Sequence, residues 1–312
     1  MKPLLLLGVL LALAPLVITD QGHLYFMTLI LVWCLFALGY DLVFGVTGML
    51  SFGHAAFFGV GSYVFALIVL KNPALFPLAI IAAGVAGGLV ALLVAALALR
   101  LSGIYFSLMT LAIAELFFFA ASSPMRNLTG GEDGLTGVPR PTLLGVGFID
   151  DARFYLLVLA FFMLGIAVSR MLRNSPFGQA LKGLRVNEVR ADQVGFNVKR
   201  LKLAAFAISG IYTGIAGALL GSLMQFVNPQ GLHWSTSGDV VIMTLLGGIG
   251  TLYGPIYGVV VFEVLKEALS SRTVHWYGIL GLIFIAATMY MPRGIQGAVT
   301  AFRQRLVERS GQ

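Results

Sequence analysis

The chain has 312 residues, of which 59% are hydrophobic and only 11% charged, and its formal net charge is +7. Its mean hydropathy is +0.94. Soluble domains carry about 25% charged residues, so this composition excludes a water-soluble protein and predicts an integral membrane protein. The single cysteine, Cys34, excludes an internal disulfide and a cysteine-based metal site.

Nine apolar segments are candidate membrane spans, because a spanning helix needs about 20 apolar residues. None of them alternates as the strands of a membrane barrel do. We therefore expect an all-α polytopic helical bundle of about 9–10 transmembrane segments, forming a single transmembrane domain over residues 1–312. The first segment is either a retained helix or a signal peptide. The segments are Leu4–Ile18, Leu24–Phe44, Ala55–Leu70, Leu75–Leu99, Leu101–Ala121, Phe154–Ser169, Leu203–Ser222, Val240–Leu269 and His275–Met291.

Lys and Arg are unevenly distributed when the N-terminus is placed in the cytoplasm and the segments alternate. Fourteen of the 20 then lie inside, as the positive-inside rule requires. The inside set includes the cluster at residues 170–202 and the tail Arg303–Arg309. Residues 170–202 and the C-terminus are therefore predicted to be cytoplasmic. The long loop at residues 122–153 is predicted to be extracytoplasmic, either as a connector or as a docking surface.

Two glycine-rich stretches interrupt the apolar segments: GVTGMLSFGH (Gly45–His54) and GGIGTLYGP (Gly247–Pro255). Nine simple spans would put the termini on opposite sides, so Val240–Leu269 is expected to fold back at the second stretch. Non-helical backbone at membrane depth is tolerated only where protein or a water-filled path surrounds it. The two stretches either mark repeats around a central substrate site or resemble each other by chance. The candidate path residues are Gly45, Gly48, Ser51, Gly53, His54, Glu115, Gly247, Gly248, Gly250 and Gly254.

Polar residues in the apolar segments have competing interpretations. His54 either lines the path or packs against carbonyls freed by the first break. Glu115 is interpreted as the only acid deep in a span, where a carboxylate costs about 3 kcal/mol. One interpretation of Glu115 is a charge partner, for the amino group of a substrate or for a helix N-terminus. The other is a structural hydrogen-bonding group between helices. Asp41 is expected near the inner interface, and Asp239 is interpreted as a residue of a helix N-terminus.

The charged stretch SPFGQALKGLRVNEVRADQVG (Ser175–Gly195) has the signals of two short capped helices. Ser175 and Pro176 are typical of a helix start. Asn187 can cap a second helix that begins at Glu188, and Gly195 suits a left-handed stop.

An apolar stripe runs along the first of these helices, because Phe177, Leu181 and Leu184 recur at helical spacing. We expect this stripe to face a partner, since an apolar face on the water side needs one. The alternative is a helix that lies on the membrane surface.

Several stretches together resemble the permease subunits of branched-chain amino acid ABC importers. The resemblance runs from about Gly39 to Gly297. A pair of these stretches, taken together, is characteristic of the M-type rather than the H-type subunit. That pair is RLSGIYFSLMTLAIAEL (Arg100–Leu116) with NLTGGEDGLTGVP (Asn127–Pro139). The other stretches are GVTGMLSFGHAAFFGVGSY (Gly45–Tyr63), SPFGQALKGLRVNEVRADQVGFNVKRLKLAAFAISGIYTGIAGAL (Ser175–Leu219), LLGGIGTLYGPIYGVVVFEVL (Leu245–Leu265) and MPRGIQG (Met291–Gly297).

The resemblance implies a multi-pass permease of the bacterial inner membrane that carries leucine, isoleucine and valine, or urea, amides and related compounds. Its implied partners are an H-type permease, two cytoplasmic ATPase subunits and an extracytoplasmic solute-binding protein. ATP and Mg²⁺ would belong to the ATPase, so we expect neither a cofactor nor enzyme activity in this chain. Ala191–Gly195 resembles the loop that inserts into the ATPase. The implied coupling residues are Ser175, Pro176, Phe177, Leu181, Leu184, Glu188, Ala191 and Gly195.

Other function classes are less well supported by the residues. The chain has no G-x-x-x-x-G-K-[ST] phosphate loop, so transport energy must come from a partner or an ion gradient. An ion-driven secondary transporter usually carries paired membrane carboxylates, and only Glu115 is assigned such a position. A membrane enzyme would need clustered polar residues, but the four histidines are scattered. The bilayer is an expected partner, and a nucleic acid is not.

Overall fold

The computed structural model describes residues 8–18, 20–143, 146–148, 150–291 and 294–300. The described part is almost entirely helical, which confirms the predicted all-α membrane bundle. The basic tail Arg303–Arg309 lies outside the described residues.

Thirteen helices of the described residues are numbered in chain order, and the short turn at Arg126–Thr129 is left unnumbered. The first six are α1 (Gly8–Val17), α2 (Gln21–Asp41), α3 (His54–Lys71), α4 (Phe76–Ala98), α5 (Gly103–Ser122) and α6 (Asp151–Asn174). The others are α7 (Pro176–Val186), α8 (Glu188–Gln193), α9 (Val198–Met224), α10 (Trp234–Gly247), α11 (Gly254–Ser270), α12 (Trp276–Tyr290) and α13 (Gly294–Thr300). A π-helix, Leu42–Val46, continues α2.

Six helices among the described residues are long and apolar enough to cross a membrane. The bent pair α12 and α13 makes a seventh if it forms one span. The remaining predicted segments are shorter elements, because α1 is brief and the long eighth segment is divided between α10 and α11. The six spans are Gln21–Val46, His54–Lys71, Pro73–Ala98, Gly103–Ser122, Asp151–Asn174 and Val198–Met224.

The predicted fold-back is present in the segment Val240–Leu269. Helix α10 ends at Gly247, and α11 starts at Gly254 and packs against α10. The contact is backbone to backbone, because a Cβ on Gly258 would lie 1.7 Å from the Met243 carbonyl oxygen. A Cβ on Gly247 would likewise lie 1.8 Å from the Gly254 carbonyl oxygen. Only glycine at these positions lets the two helices approach so closely.

Helix α9 forms the centre of the bundle and packs against α2, α3 and α4. One face of α9 carries glycines at helical spacing, and these allow close helix approach. A Cβ on Gly210 would lie 2.5 Å from the Gly87 carbonyl oxygen of α4. A Cβ on Gly217 would lie 2.1 Å from the Phe58 carbonyl oxygen of α3. The glycine face therefore packs within this chain.

Short strands organise the loop at residues 122–153. Strand β1 (Leu135–Thr136) pairs antiparallel with β4 (Phe226–Val227), which follows α9. Strands β2 (Thr142–Leu143) and β3 (Val146–Gly147) form a second pair. A helical turn, Arg126–Thr129, precedes them. The loop is thus attached to the α9–α10 connection instead of extending freely from the bundle.

Candidate functional site

The first glycine break comprises the π-helix Leu42–Val46 and the irregular residues 47–53, between α2 and α3. Hydroxyl groups of α5 and α10 bond its backbone. Ser107 Oγ donates to the Leu50 carbonyl (2.7 Å), and Thr110 Oγ1 accepts from the Phe52 amide (3.0 Å). Ser237 Oγ donates to the Phe52 carbonyl and accepts from the Ala55 amide, both at 2.8 Å. Neighbouring helices therefore provide the hydrogen bonds that irregular backbone at membrane depth requires.

The second glycine break joins α10 to α11. Gly248 and Gly250 have φ values of +119° and +75°, which residues with a Cβ rarely adopt. Thr251 Oγ1 donates to the Gly248 carbonyl (2.9 Å) and accepts from the Gly254 amide (3.0 Å). The threonine thus holds the break in a fixed shape.

The two breaks touch each other, which the sequence pattern alone did not establish. The Gly250 amide donates to Asp41 Oδ1 at 2.9 Å. A Cβ on Gly45 would lie 1.9 Å from that same carboxylate oxygen and 2.5 Å from the Gly250 nitrogen. Glycine at position 45 is therefore required for the contact between the breaks.

A buried ion pair lies at the junction of the two breaks. Arg173, near the end of α6, donates from Nη2 to Asp41 Oδ2 (2.6 Å) and from Nη1 to the Gly250 carbonyl (3.1 Å). Its Nε donates to Ser169 Oγ at 3.2 Å. Asp41 is fully buried and Arg173 is 6% exposed. Because breaking a buried pair leaves an uncompensated charge, this contact holds α2, α6 and the second break together.

The buried acids correct the interpretation of Glu115 as the only acid deep in a span. Asp41 is fully buried and Glu263 of α11 is 2% exposed, whereas the Glu115 side chain is 34% exposed. Asp41 lies at the end of α2 and bonds Arg173 near the end of α6, and its expected position near the inner interface stays a prediction. Glu115 Oε1 accepts from the Trp234 amide (3.0 Å) at the start of α10, where the helix dipole favours a negative charge. The bond makes Glu115 a partner of a helix N-terminus and at the same time joins α5 to α10, so it agrees with both interpretations.

The predicted caps of the charged stretch are present. Ser175 Oγ accepts from the Gly178 amide (3.2 Å) at the start of α7. Asn187 Oδ1 accepts from the Arg190 amide (2.9 Å) at the start of α8. Gly195 has a φ of +97° after α8. The stretch is therefore a structured helix pair and not a flexible loop.

The apolar stripe of α7 faces the interior of this chain, so its assignment to a partner was wrong. Leu181 is fully buried and Leu184 is 4% exposed. Leu181 packs in a cluster with Leu42, Val46 and Ala205, and Phe177 packs beside it. Periodicity identified a buried face correctly but could not tell which protein buries it.

The opposite face of α7 forms a groove with α8. The groove has a volume of about 620 Å³ and includes Pro176, Ala180, Val186, Ala191, Val194 and Phe196. Val186 is 86% exposed and Val194 is 73% exposed. The sequence analysis did not predict this groove. The pattern that could have indicated it is the presence of valines, Val186 and Val194, outside the apolar stripe.

A second cavity, of about 870 Å³, lies beside the first glycine break. Its wall includes Gly48, Leu50, Phe52, Ser107, Leu108 and Arg185. Arg185, in the last turn of α7, donates from Nη1 to the Gly45 carbonyl. A Cβ on Gly48 would lie 3.0 Å from Arg185 Cγ. The helix pair, the first break and the cavity are thus in direct contact.

Comparison with known proteins identifies the group to which the chain is related. Residues 22–289 match a protein family described as branched-chain amino acid transport system / permease component. The chain belongs to this family.

The permease is similar to curated proteins of two kinds. It is 28% identical over 303 residues to the high-affinity branched-chain amino acid transport system permease protein LivM of Escherichia coli K12. That match covers 88% of the permease and 70% of LivM. It is 25% identical over 287 residues to LivH of the same organism, covering 85% and 91% of the two chains. No solved structure matches the permease. The resemblance to the M-type subunit is confirmed.

The structure places nine of the ten predicted path residues of the permease in three groups, and Glu115 apart from them. Gly45, Gly48 and Gly250 meet around Asp41 and Arg185. Gly247, Gly248 and Gly254 lie in the tight α10–α11 turn, and Glu115 lies apart at the start of α10. Ser51, Gly53 and His54 are buried and do not line the cavity.

His54 of the permease is enclosed by protein. Its Nε2 lies 2.9 Å from Ser209 Oγ, which donates to the Gly39 carbonyl at 2.7 Å. The ring packs edge-on against Tyr40 and beside Phe57. These contacts join α3 to α9 and α2 next to the first break.

Proposed function

We propose that this permease is a membrane-spanning subunit of an ATP-driven importer of branched-chain amino acids, and that a separate ATPase docks in the α7–α8 groove. The observation that carries the proposal is the exposed apolar lining of that groove. Val186 and Val194 are mostly exposed, and Phe196 is 47% exposed. An apolar surface rimmed by polar residues marks a site of interaction.

The groove is built on a rigid base, which supports a coupling role. Leu181 and Leu184 anchor α7 against the core of the permease, and both helices are capped. A helix held in this way passes a displacement to the bundle, whereas a flexible loop would absorb it. Ser175, Pro176, Glu188, Ala191 and Gly195 keep their proposed coupling role by shaping or capping this helix pair.

The charge distribution supports a cytoplasmic position for the groove and an extracytoplasmic position for residues 122–153. Basic side chains at the anionic inner leaflet each gain about 1 kcal/mol. In this orientation the strand-linked outer loop faces the proposed solute-binding protein. The complete assembly would contain this subunit, an H-type permease, two ATPase subunits that bind ATP and Mg²⁺, and the binding protein.

The cavity beside the first break supports the proposed substrate class. Its wall is mostly apolar, with Phe44, Leu50, Phe52 and Ile104, and it also includes Ser107 and the charged residues Arg185, Glu188 and Lys202. Ligand sites are typically apolar with a few polar groups that fix orientation. An aliphatic amino acid fits such a lining better than urea, which has no apolar part to bury. The names of the LivM and LivH relatives agree with this choice.

The docking proposal is tested by a pair of matched substitutions. Val186→Asp places a charge in the groove, whereas Val189→Asp places one on the other side of α8, at a valine that is 68% exposed and outside the groove. The tagged permease is purified in mild detergent from its native membranes, and Mg²⁺-dependent ATP hydrolysis per mole of permease is measured. A charge left unpaired in an interface costs several kcal/mol, so Val186→Asp should lose the hydrolysis.

The control and the alternatives give different results. Val189→Asp should retain the hydrolysis of the wild type, because its charge remains in water. Equal hydrolysis by the two variants would refute docking in the groove. If α7 and α8 instead lie on the membrane surface, both variants would keep their ATPase and their defects would follow the content of anionic lipid.

A further inference from the structure

Two arginines bracket α7, the helix that forms the base of the groove. Arg173 lies three residues before the start of α7, and Arg185 lies one residue before its end. Both belong to the charged cluster at residues 170–202. The positive-inside rule predicts the side of the membrane for the cluster as a whole but not the contacts of each arginine. Their individual contacts show more specific positions.

Each arginine donates to a carbonyl in a different glycine break. Arg173 binds the second break through the Gly250 carbonyl and binds Asp41 with the same guanidinium. Arg185 donates to the Gly45 carbonyl of the first break. Arg185 Nη1 also lies close to Gly250 of the second break, because a Cβ on Gly250 would be 2.8 Å from this nitrogen. The two ends of α7 are therefore connected to the two sides of one junction.

The packing on the Asp41 side of this junction is tight. Gly45 and Gly250 are in backbone contact, and Asp41 bonds both Arg173 and the Gly250 amide. Packed contacts of this kind switch between discrete arrangements instead of deforming continuously. A rotation or shift of α7 must then either move the breaks or separate the arginines from them.

We propose that Arg173 and Arg185 are positioning residues that link α7 to the two glycine breaks, so that movement of α7 opens and closes the cavity beside Gly48. The inference rests on the proposed ATPase coupling. The role differs from docking, because neither arginine is needed for the apolar lining of the groove. It also differs from substrate binding, because both guanidinium groups bond this chain's own backbone carbonyls.

The test uses Arg173→Lys, Arg185→Gln and the matched control Arg170→Gln. Lysine keeps the charge beside Asp41 but lacks the planar fork that bonds Asp41 and Gly250 together. Glutamine at position 185 removes the guanidinium without leaving a buried charge unpaired. Arg170 lies three residues before Arg173 on α6. Each complex is purified from native membranes and reconstituted in vesicles, and leucine uptake per ATP hydrolysed is measured.

Both test variants should retain the ATPase and hydrolyse ATP, but leucine uptake per ATP should fall about tenfold, the change expected for one lost charge-assisted hydrogen bond. Arg170→Gln should match the wild type. A wild-type ratio of uptake to hydrolysis in both test variants would overturn the inference. Absence of any ATPase from the wild-type complex would instead refute the proposed function.

A second measurement distinguishes a link between α7 and the breaks from a purely structural role of Arg185. Leu108 lines the cavity, and the chain's one native cysteine, Cys34, is buried. Leu108→Cys is labelled with a water-soluble maleimide, with and without ATP, in the wild-type and Arg185→Gln backgrounds. The labelling rate should depend on ATP only in the wild-type background. The same ATP dependence in both backgrounds would contradict the link through Arg185.

Discussion

Replacement of Gly45 by alanine tests the contact between the two breaks. The new methyl group would lie 1.9 Å from Asp41 Oδ1 and 2.5 Å from the Gly250 nitrogen. Neither neighbour can move easily, because Arg173 holds the carboxylate and Gly250 is backbone within a turn. Overpacking costs about 1–3 kcal/mol, and the lost bond between Gly250 and Asp41 adds about 1.5–3 kcal/mol.

We therefore expect Gly45→Ala to lower the free energy of unfolding by about 2.5–6 kcal/mol. The control is Gly278→Ala in α12, where a Cβ meets nothing within 4 Å. Because alanine has the higher helix propensity, the control should be unchanged or more stable by up to about 1 kcal/mol. Unfolding by SDS in mixed micelles, followed by circular dichroism, measures both changes. Equal stability of the two variants would refute the tight junction.

Three further predictions concern the same region and the orientation of the chain. Gly48→Leu should abolish leucine uptake while the permease still inserts, because position 48 has a φ of +81° and a Cβ there approaches Arg185. Leu181→Asp should reduce the amount of folded permease instead of only uncoupling it, since this side chain is fully buried; a normal yield in detergent extracts would argue against the packing of α7. A cysteine at Gln179 should be labelled only from the cytoplasm, and a cysteine at Thr136 should be labelled only from outside. The reverse pattern would contradict the proposed orientation.

The features that could be predicted from the sequence are those that depend on neighbouring residues. Apolar length predicted the spans, because each spanning helix satisfies its own backbone. The caps at Ser175 and Asn187 were predictable because each bonds an amide three residues ahead. The interruption after Gly247 was predictable because glycine and proline mark a broken helix wherever it packs.

The features that escaped prediction depend on partners far apart in the chain. Asp41 and Arg173 are 132 residues apart, so no local pattern relates them. Leu181 showed a stripe of the right period, but periodicity does not reveal whether the stripe packs on its own chain or on another protein. Glu115 lies in the middle of an apolar run, yet its neighbour at the start of α10 is fixed only by the folded bundle.

Uptake into sealed vesicles tests the central claim most directly. The complex is purified from native membranes through a tag on this permease and reconstituted with its solute-binding protein on the side of residues 122–153. Labelled leucine is then supplied with ATP enclosed on the side of the groove. The account predicts uptake that requires Mg²⁺ and ATP and continues when ionophores collapse all ion gradients. Uptake that is driven by an ion gradient without ATP would contradict it.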